Sequence, residues 1–415
     1  MVIAAAKWSC VDALFRSYSA GGISSFDTPP AFLPIPCSTV NWREWHFDAV
    51  QLPLNMKILY FSLGYSTHDH RFLKAISEGG HEVFFVQLEG NSRPVEDRLV
   101  PPNVQLVLWK GGRNPFRWRD LPQLVLDFRH LTREIKPDLV HAGPIQTCAF
   151  IAVLSGFSPI LTMSWGFDLM DDVHKSRWWE WVTRYTLRRS TFFTSDAMVT
   201  RDKAVAYGMD PGKTIVFPWG VDLEHFKPAA SIAQRSTFTL FCNRAWETRY
   251  GVDVLARAFI KVAQQNGSVN LLLLGGGSQG HALRQILEGG GVLDRVAFGG
   301  QISQTVLPGW YHRADLYISP SHVDGSSVSL MEALACGLPC LVSDIPANKE
   351  WVVEGQNGWL FRDGDADHLA EKILAAIAQR EDLPRVGDTS RKTAELRADW
   401  NRNAGALMKV YRGLI

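Results

Sequence analysis

The sequence predicts an α/β protein of two Rossmann-like halves facing across a cleft, and three observations predict it. Short apolar runs alternate with helical periods along most of the 415 residues, the rhythm of a parallel sheet covered on both faces. The alternation pauses once, at the Pro-flanked stretch FPWGVDLEHFKP (217–228), and then resumes. With 46% hydrophobic and 20% charged residues, a chain of this length can bury two cores.

The first half, expected over 56–225, opens with KILYFSL (57–63) as a strand. HRFLKAISEGG (70–80) reads as a helix stopped by glycine, and HEVFFVQL (81–88) as the next strand. VQLVLW (104–109), LPQLVLDFRHLTREIK (121–136) and PDLVHAG (137–143) continue the alternation, then SPILTMSWG (158–166) and STFFTSD (190–196), with a helix between these two. The second half, expected over 226–388, has strands in FTLFCN, VNLLLLGGG, RVAFGG, ADLYISPS and PCLVSD. Its clearer helices are GVDVLARAFIKVAQQ, LMEALACG and DADHLAEKILAAIAQ. The final segment, 389–415, is expected to be one helix, Thr389 to Leu414, that has no strand after it and returns to the first half.

Residues 1–55 hold no sustained period and include the Pro-rich DTPPAFLPIP. They are expected to be a disordered extension without a fold of its own, of the kind an upstream start would add. MVIAAAKWSC has too short an apolar core for a signal peptide. The uncharged run between His141 and Asp168 is broken by Pro144, Gly156, Pro159 and Gly166, so it reads as a buried helix and strand instead of a membrane span. A net charge of +1 gives no global field for nucleic acid. The six cysteines are scattered, without a C-x-x-C, which fits reduced buried thiols and a cytoplasmic setting.

The chemistry concentrates in SPSHVDGSSVSLMEALACGLPCLVSD (319–344). Glu332 sits among Leu330, Met331, Ala333 and Leu334, where a carboxylate is costly without a partner. Two readings fit it. Ser329-x-x-Glu332 matches a capping box, and Asp324-Gly325 alone is a turn. Alternatively, a strand, a Gly/Ser turn and a helix aim backbone N–H groups at an anion, with Asp324 and Glu332 placed to accept hydrogen bonds from hydroxyls. A diphosphate between two polyols satisfies the whole constellation.

Asp324-x7-Glu332 followed by ALACGLP resembles the E-x7-E segment of retaining glycosyltransferases of family 4, the group 1 glycosyl transferases of GT-B architecture. TSDAMVTRDKAVAYGMDPGKTIVFPWGVDLEHFKP (194–228) is similar to that family's inter-domain segment. LLLLGGGSQGHALRQIL, DRVAFGGQIS and VVEGQNGWLF fall in the family's order. The resemblance covers about 56–385 and implies that Glu332 binds ribose hydroxyls of a nucleotide sugar and Asp324 the transferred sugar. Gly325, Ser326, Ser327 and Val328 would then approach sugar and phosphate. The family's diphosphate-binding basic pair falls in CNRAWETRYGVDVL. Arg244 matches its first member; Tyr250 stands where lysine is usual, so Arg249 is the expected substitute. The plain alternative for either arginine is a solvated charge at a helix entry.

The first half departs more from the family. SWGFDLM places Trp165 where the family has a histidine that contacts the sugar, while Asp168 and His141 match. GYSTHDHRF (64–72) stands where an acceptor-side loop is expected. There His68, Asp69 and His70 either face the cleft or form a helix N-cap with solvated neighbours. Two other patterns read as structure. DGDAD (363–367) resembles a metal-binding D-x-D but is placed as a turn and helix N-cap. GGGSQG (275–280) lacks the G-x-G-x-x-G spacing of dinucleotide binding. KSRWWEWVTRYTLRRS (175–190) mixes five basic residues and one acidic with Trp178, Trp179, Trp181 and Tyr185. It suits a membrane interface, or else a helix whose aromatic side packs on the sheet while its arginines meet solvent.

The resulting expectation is a cytoplasmic, metal-independent hexosyltransferase with no cofactor, peripheral at the inner leaflet of the plasma membrane. It takes a nucleotide diphosphate sugar as donor and a glycan or lipid-linked acceptor, as in polysaccharide biosynthesis. The rival readings are a non-catalytic nucleotide-sugar-binding scaffold and a nucleotide-sugar epimerase on the same fold. A phosphorylase-like reading requires a Schiff-base lysine in the cleft, and the sequence offers none in such a setting.

Overall fold

A computed structural model of the chain describes residues 55–90, 96–113, 115–230 and 236–411. The expected extension, Asn55 excepted, lies outside the described residues. The first half runs β1 (Lys57–Ser62), α1 (Thr67–Glu78), β2 (Glu82–Gln87), β3 (Val104–Val107), α2 (Leu121–Ile135), β4 (Leu139–Ala142) and α3 (Phe150–Leu154). It continues through β5 (Ile160–Met163), α4 (Phe167–Met170), α5 (Arg177–Arg189), β6 (Phe192–Ser195), α6 (Met198–Ala206) and β7 (Thr214–Val216). The second half runs β8 (Phe238–Cys242), α7 (Val252–Gln265), β9 (Val269–Leu274), α8 (Gly280–Gly289), β10 (Val296–Gly300), α9 (Leu307–Tyr311) and β11 (Leu316–Ser319). Then come α10 (Val328–Ala335), β12 (Cys340–Ser343), α11 (Pro346–Lys349), β13 (Gly358–Phe361), α12 (Ala366–Ala378), α13 (Leu383–Arg397) and α14 (Trp400–Tyr411).

The strands form two sheets, in the orders β3-β2-β1-β4-β5-β6-β7 and β10-β9-β8-β11-β12-β13. Their pairings are parallel, for example Ile58 with Val83 and Leu139, and Leu240 with Leu271 and Leu316. Parallel strands must be covered on both faces, and both sheets are. Tyr60, Phe85 and Leu139 face one core of the first sheet, while Leu59, Phe61 and Val140 face the other. Across the second sheet, Leu271 and Leu273 pack with Leu255 and Phe259 of α7, and Phe241 and Tyr317 with Leu330 of α10. The buried residues of α7 (Val252, Leu255, Ala256, Phe259, Val262 and Ala263) recur at helical spacing, which is why that stretch winds as an amphipathic helix.

Two connections tie the halves together. Val221 N–H donates to Ala398 O at 2.7 Å, and Trp400 N–H returns to Val221 O at 3.1 Å, so the outgoing and returning chains run side by side. Gly220, at φ +72°, leaves no room for a side chain there: a Cβ would lie 2.6 Å from Ala398 O. The expected single C-terminal helix is corrected by this crossing. The chain breaks at Ala398 and Asp399, leaving α13 beside α10 while α14 packs on α1 and β7. Leu407 and Tyr411 of α14 are thereby buried in the first half's core.

The four described cysteines, Cys148, Cys242, Cys336 and Cys340, are buried free thiols. Among the described residues no helix is long and apolar enough to cross a membrane. α5 corrects one expectation. Val182, Thr183, Thr186 and Leu187 form its buried face, whereas Trp178 and Trp181 stay 49% and 45% exposed. The helix turns small and aliphatic residues inward, and its aromatic stripe is not the side that packs on the sheet.

Candidate active site

The carboxyl end of β11 leads through Pro320–Ser326 into α10, and this turn is the centre of the site. Its helix cap is Ser327, with extended backbone and an Oγ that accepts from Leu330 N–H at 3.4 Å. That overturns the capping box drawn between Ser329 and Glu332. Ser329 lies inside the first turn, where its hydroxyl takes hydrogen bonds from Arg244 and from Tyr317 OH.

Arg244 leaves the end of β8 and reaches the same turn. One guanidinium nitrogen donates to Asp324 Oδ2 at 2.6 Å, and the other to Ser327 Oγ at 2.7 Å and Ser329 Oγ at 3.0 Å. Its plane lies 4.3 Å from the Tyr250 ring centroid. The pair is well shielded, with Arg244 and Asp324 side chains 10% and 15% exposed. Burial raises the Asp324 pKa and Arg244 opposes the rise. A cation at the N-terminal end of a helix makes a strong anion site; here Asp324 is its counter-ion.

Glu332, 2% exposed, accepts from Tyr311 OH at 2.7 Å. Tyr311 in turn accepts from Asn243 Nδ2 at 2.8 Å. Burial lifts the Glu332 pKa above the ordinary glutamate value, against the pull of Tyr311 and Arg71. The carboxylate borders a cavity of about 310 Å³ walled by Arg71 and Arg98 from the first half, His225 and Phe226 from the linker, and Gln304 from the second. Arg71 also holds Gly220 O and donates to His68 Nδ1 at 3.4 Å.

The first half's expected residues divide into two sets. His68 stands by the cleft wall, 4.6 Å from the Trp219 ring and 6.0 Å from that of Trp165. Burial, with Arg71 beside it, lowers its pKa to about 3. Arginine only donates, so the neutral ring carries its proton on Nε2. Asp69 is instead the third residue of α1, in a capping box with Ser66, and takes a hydrogen bond from Tyr60 OH at 3.0 Å. Burial pushes its pKa up to about 6. The cap is thus Ser66, and its neighbours are not freely solvated: His70 bonds Tyr65 OH at 2.6 Å.

His141 departs from its expected place on the sugar side. It is enclosed in the core with Nδ1 2.6 Å from Tyr411 OH, and burial lowers its pKa to about 3. The returning α14 covers the position. The acceptor capacity of Asp168 is taken up by the chain itself. Ser164 Oγ (2.5 Å) and Leu169 N–H (3.0 Å) donate to Oδ1, and Ile145 N–H (3.2 Å) and Trp165 N–H (3.3 Å) to Oδ2. Trp165 is part-buried, and its Nε1 has no hydrogen-bond partner among the described residues.

The turns after β5 and β11 touch. A Cβ on Gly166, which has φ +82°, would lie 2.6 Å from Gly325 N, and one on Gly325 would lie 2.5 Å from Asp196 Oδ1. Asp196, unnoticed in the sequence, accepts from Ser326 N–H at 3.0 Å, and its carbonyl accepts from Ser326 Oγ at 2.7 Å. Val328 opens α10 beyond this clasp. Arg249 reaches across to Asp171 at 3.3 Å and Asp172 at 3.5 Å and lies over the Phe167 ring. Its side chain therefore bridges the two halves, while its carbonyl accepts from His322 N–H of the turn after β11 at 3.0 Å. Asp365 caps α12 through His368 N–H, as expected for DGDAD. Among the described residues no three His, Cys, Asp or Glu side chains are grouped to hold a metal ion.

Comparison with known proteins finds a glycosyl transferase family on each side of the cleft. Residues 57–197 match the family described as glycosyl transferase 4-like, and residues 237–379 that described as glycosyl transferases group 1. A GDP-mannose-dependent alpha-(1-6)-phosphatidylinositol monomannoside mannosyltransferase of Mycobacterium tuberculosis is 26% identical over 293 residues, 66% of this chain and 74% of that one. Sucrose-phosphate synthase from Thermosynechococcus elongatus superposes with a TM-score of 0.74 at 19% identity, over 86% of this chain and 98% of that one. Anabaena HepE in complex with UDP-glucose gives 0.71 at 17% identity, over 86% and 99%. At such identities the two structures speak to the fold alone.

Proposed function

The chain belongs to the group 1, family-4-like glycosyltransferases of GT-B fold, and from that premise we propose that it moves a hexose from a nucleotide diphosphate sugar to a hydroxyl of a glycan or lipid-linked acceptor. The observation that carries this reading is the cluster at the head of α10. A part-buried arginine from the end of β8 meets a single turn–helix unit that carries a helix N-terminus and two carboxylates. Arg244 and the first-turn amides of α10 would take the diphosphate, displacing Asp324 from the guanidinium toward the sugar hydroxyls. Glu332 would take the ribose hydroxyls, with the base in the cavity beside it. GDP-mannose, named for a relative, and UDP-glucose, bound in a structure of the same fold, are the first donors to test.

Retention is what the family resemblance implies; with no side chain of the cluster placed as a covalent nucleophile, the incoming hydroxyl would enter on the leaving-group face, where the departing diphosphate takes its proton. Stabilising that leaving group is then the main catalytic task. Arg249, tied to Asp171 and Asp172, contributes by holding the halves together over the reactants. The acceptor is presented at the inner face of a membrane.

The test is incubation with GDP-mannose, UDP-glucose and related donors, with and without a membrane lipid extract, in the presence of EDTA. Nucleoside diphosphate should appear only with acceptor, and chelation should leave the rate unchanged because arginine and helix end neutralise the leaving group. Donor binding without product would support the scaffold reading. An epimerised free donor would support the epimerase, and loss of turnover restored by Mn²⁺ would show that the diphosphate needs a metal.

A further inference from the structure

α5 presents an aromatic stripe that the proposed chemistry does not use. Trp178 and Trp181 stack at 4.9 Å with ring planes 17° apart, and Tyr185 continues the ladder at 5.1 Å. Trp118, from the segment before α2, closes on Trp178 and Trp179 at 5.8 and 5.6 Å. The base of the cluster is anchored, since buried Phe150 meets Trp181 and Tyr185 edge-on. Its outer rings are not: Trp178 and Trp181 remain about half exposed.

Exposed arginines neighbour those rings along the chain. Arg177, Arg188 and Arg189 lie on α5 itself, and Arg117 and Arg119 flank Trp118. Arg189 also lies 4.0 Å from the Tyr185 ring centroid. The opposing acids are few: Glu180 is held by Arg184, and Asp120 lies 3.7 Å from Arg119. Residues 175–190 thus carry five basic side chains against one acidic in a chain whose net charge is only +1. Indole rings with an apolar body and a polar N–H favour the boundary between water and hydrocarbon. A basic rim adds attraction to negative head groups.

We propose that the α5 face, with Trp178 and Trp181 inserted and Arg177, Arg188 and Arg189 around them, docks on an anionic lipid surface. Docking would bring a lipid-linked acceptor to the enzyme by restricting both to one plane. In that purpose the proposal rests on the acceptor reading above, while the contact itself does not.

The test mixes the full chain, without donor or acceptor, with vesicles of phosphatidylglycerol and phosphatidylcholine or of phosphatidylcholine alone, and sediments them. The wild type should bind the anionic vesicles roughly tenfold or more tightly than the neutral ones, and less as salt rises. Trp178→Ala/Trp181→Ala should weaken that binding by about tenfold, and Arg177→Gln/Arg189→Gln by about thirtyfold. Both pairs lie outside the cleft, so donor binding should match the wild type, and each variant should keep a cooperative melt, lowered for the tryptophan pair by its lost ring contacts. A wild type that ignores both vesicles, as it would if the face met a protein, overturns the proposal. Equal binding to both vesicles, or both variants binding as the wild type does, overturns it too. Vesicle binding without transfer to any lipid supports this surface and counts against the acceptor; lipid transfer with vesicle binding unaltered in both variants does the reverse.

Discussion

Asp168, in α4 just after β5, and Asp324, in the turn after β11, are carboxylates beyond the carboxyl ends of parallel strands, the first buried and the second 15% exposed, and their segments meet through Gly166 and Gly325. Their partners differ. Asp168 accepts from four donors of its own half, which fills the lone-pair sites of a carboxylate. Asp324 depends chiefly on one guanidinium from a different strand, and that guanidinium also serves two serines. A carboxylate saturated by donors of its own neighbourhood organises a loop. One paired to a shared cation can exchange that cation with an anionic ligand. The donor count, more than burial or position, separates scaffold from site.

The largest effect should come from Arg244→Ala. Loss of a charge-assisted contact to the leaving group should lower kcat by about 10²–10³. It also leaves Asp324 buried without its cation, a loss of about 3–5 kcal/mol in typical buried pairs. Asp324→Asn in the same background should return most of the melting temperature but none of the rate. If the rate returns with stability, Arg244 belongs with the scaffold and the contrast with Asp168 collapses.

Glu332→Gln sharpens the comparison from within α10. A glutamine still meets Tyr311 OH, so stability should hold or rise as a buried charge disappears. Against ribose hydroxyls the charged acceptor is lost, a contact worth about 1.5–3 kcal/mol. Donor affinity by calorimetry should then fall by about ten- to a hundredfold. Unchanged affinity would leave Glu332 as no more than Tyr311's partner.

What could be read beforehand follows the same division. The halves, their strands and the Asp324-x7-Glu332 turn are local patterns, legible from periodicity and spacing. Partners brought by the fold were not. Tyr311 lies 21 residues from Glu332, Asp196 lies 130 residues from Ser326, and Tyr411 lies 270 residues from His141. No periodicity links such pairs. The S-x-x-E spacing pointed to Ser329 as the cap, but the helix starts two residues earlier, at Ser327, and Ser329 inside the first turn meets Arg244 and Tyr317 instead. The aromatic stripe of α5 was visible, but not that its small residues would face the core.

Asp168→Asn is the gentlest on function and the most direct test of saturation. An amide can accept at one end only, so at least two of the four donated bonds must be lost or strained, and thermal stability at neutral pH is pulled down. A second effect opposes this. Burial has pushed the Asp168 pKa up to about 6, above the ordinary aspartate value, so the folded chain binds a proton more tightly than the unfolded one. The stability from that proton is fully present below the unfolded value and is lost as pH rises through about 6. Across this window the group costs the folded state on the order of 2–3 kcal/mol, a cost that asparagine does not carry. The wild type's stability should therefore decline between about pH 4 and 6 more steeply than that of Asp168→Asn, with Asp69 contributing the same trend to both. Calorimetric melts from pH 4 to 7, paired with donor titrations, read both quantities. Parallel pH profiles would deny Asp168 its raised pKa. A tenfold fall in donor affinity would move it from the loop to the ligand, and saturation would cease to distinguish the two turns.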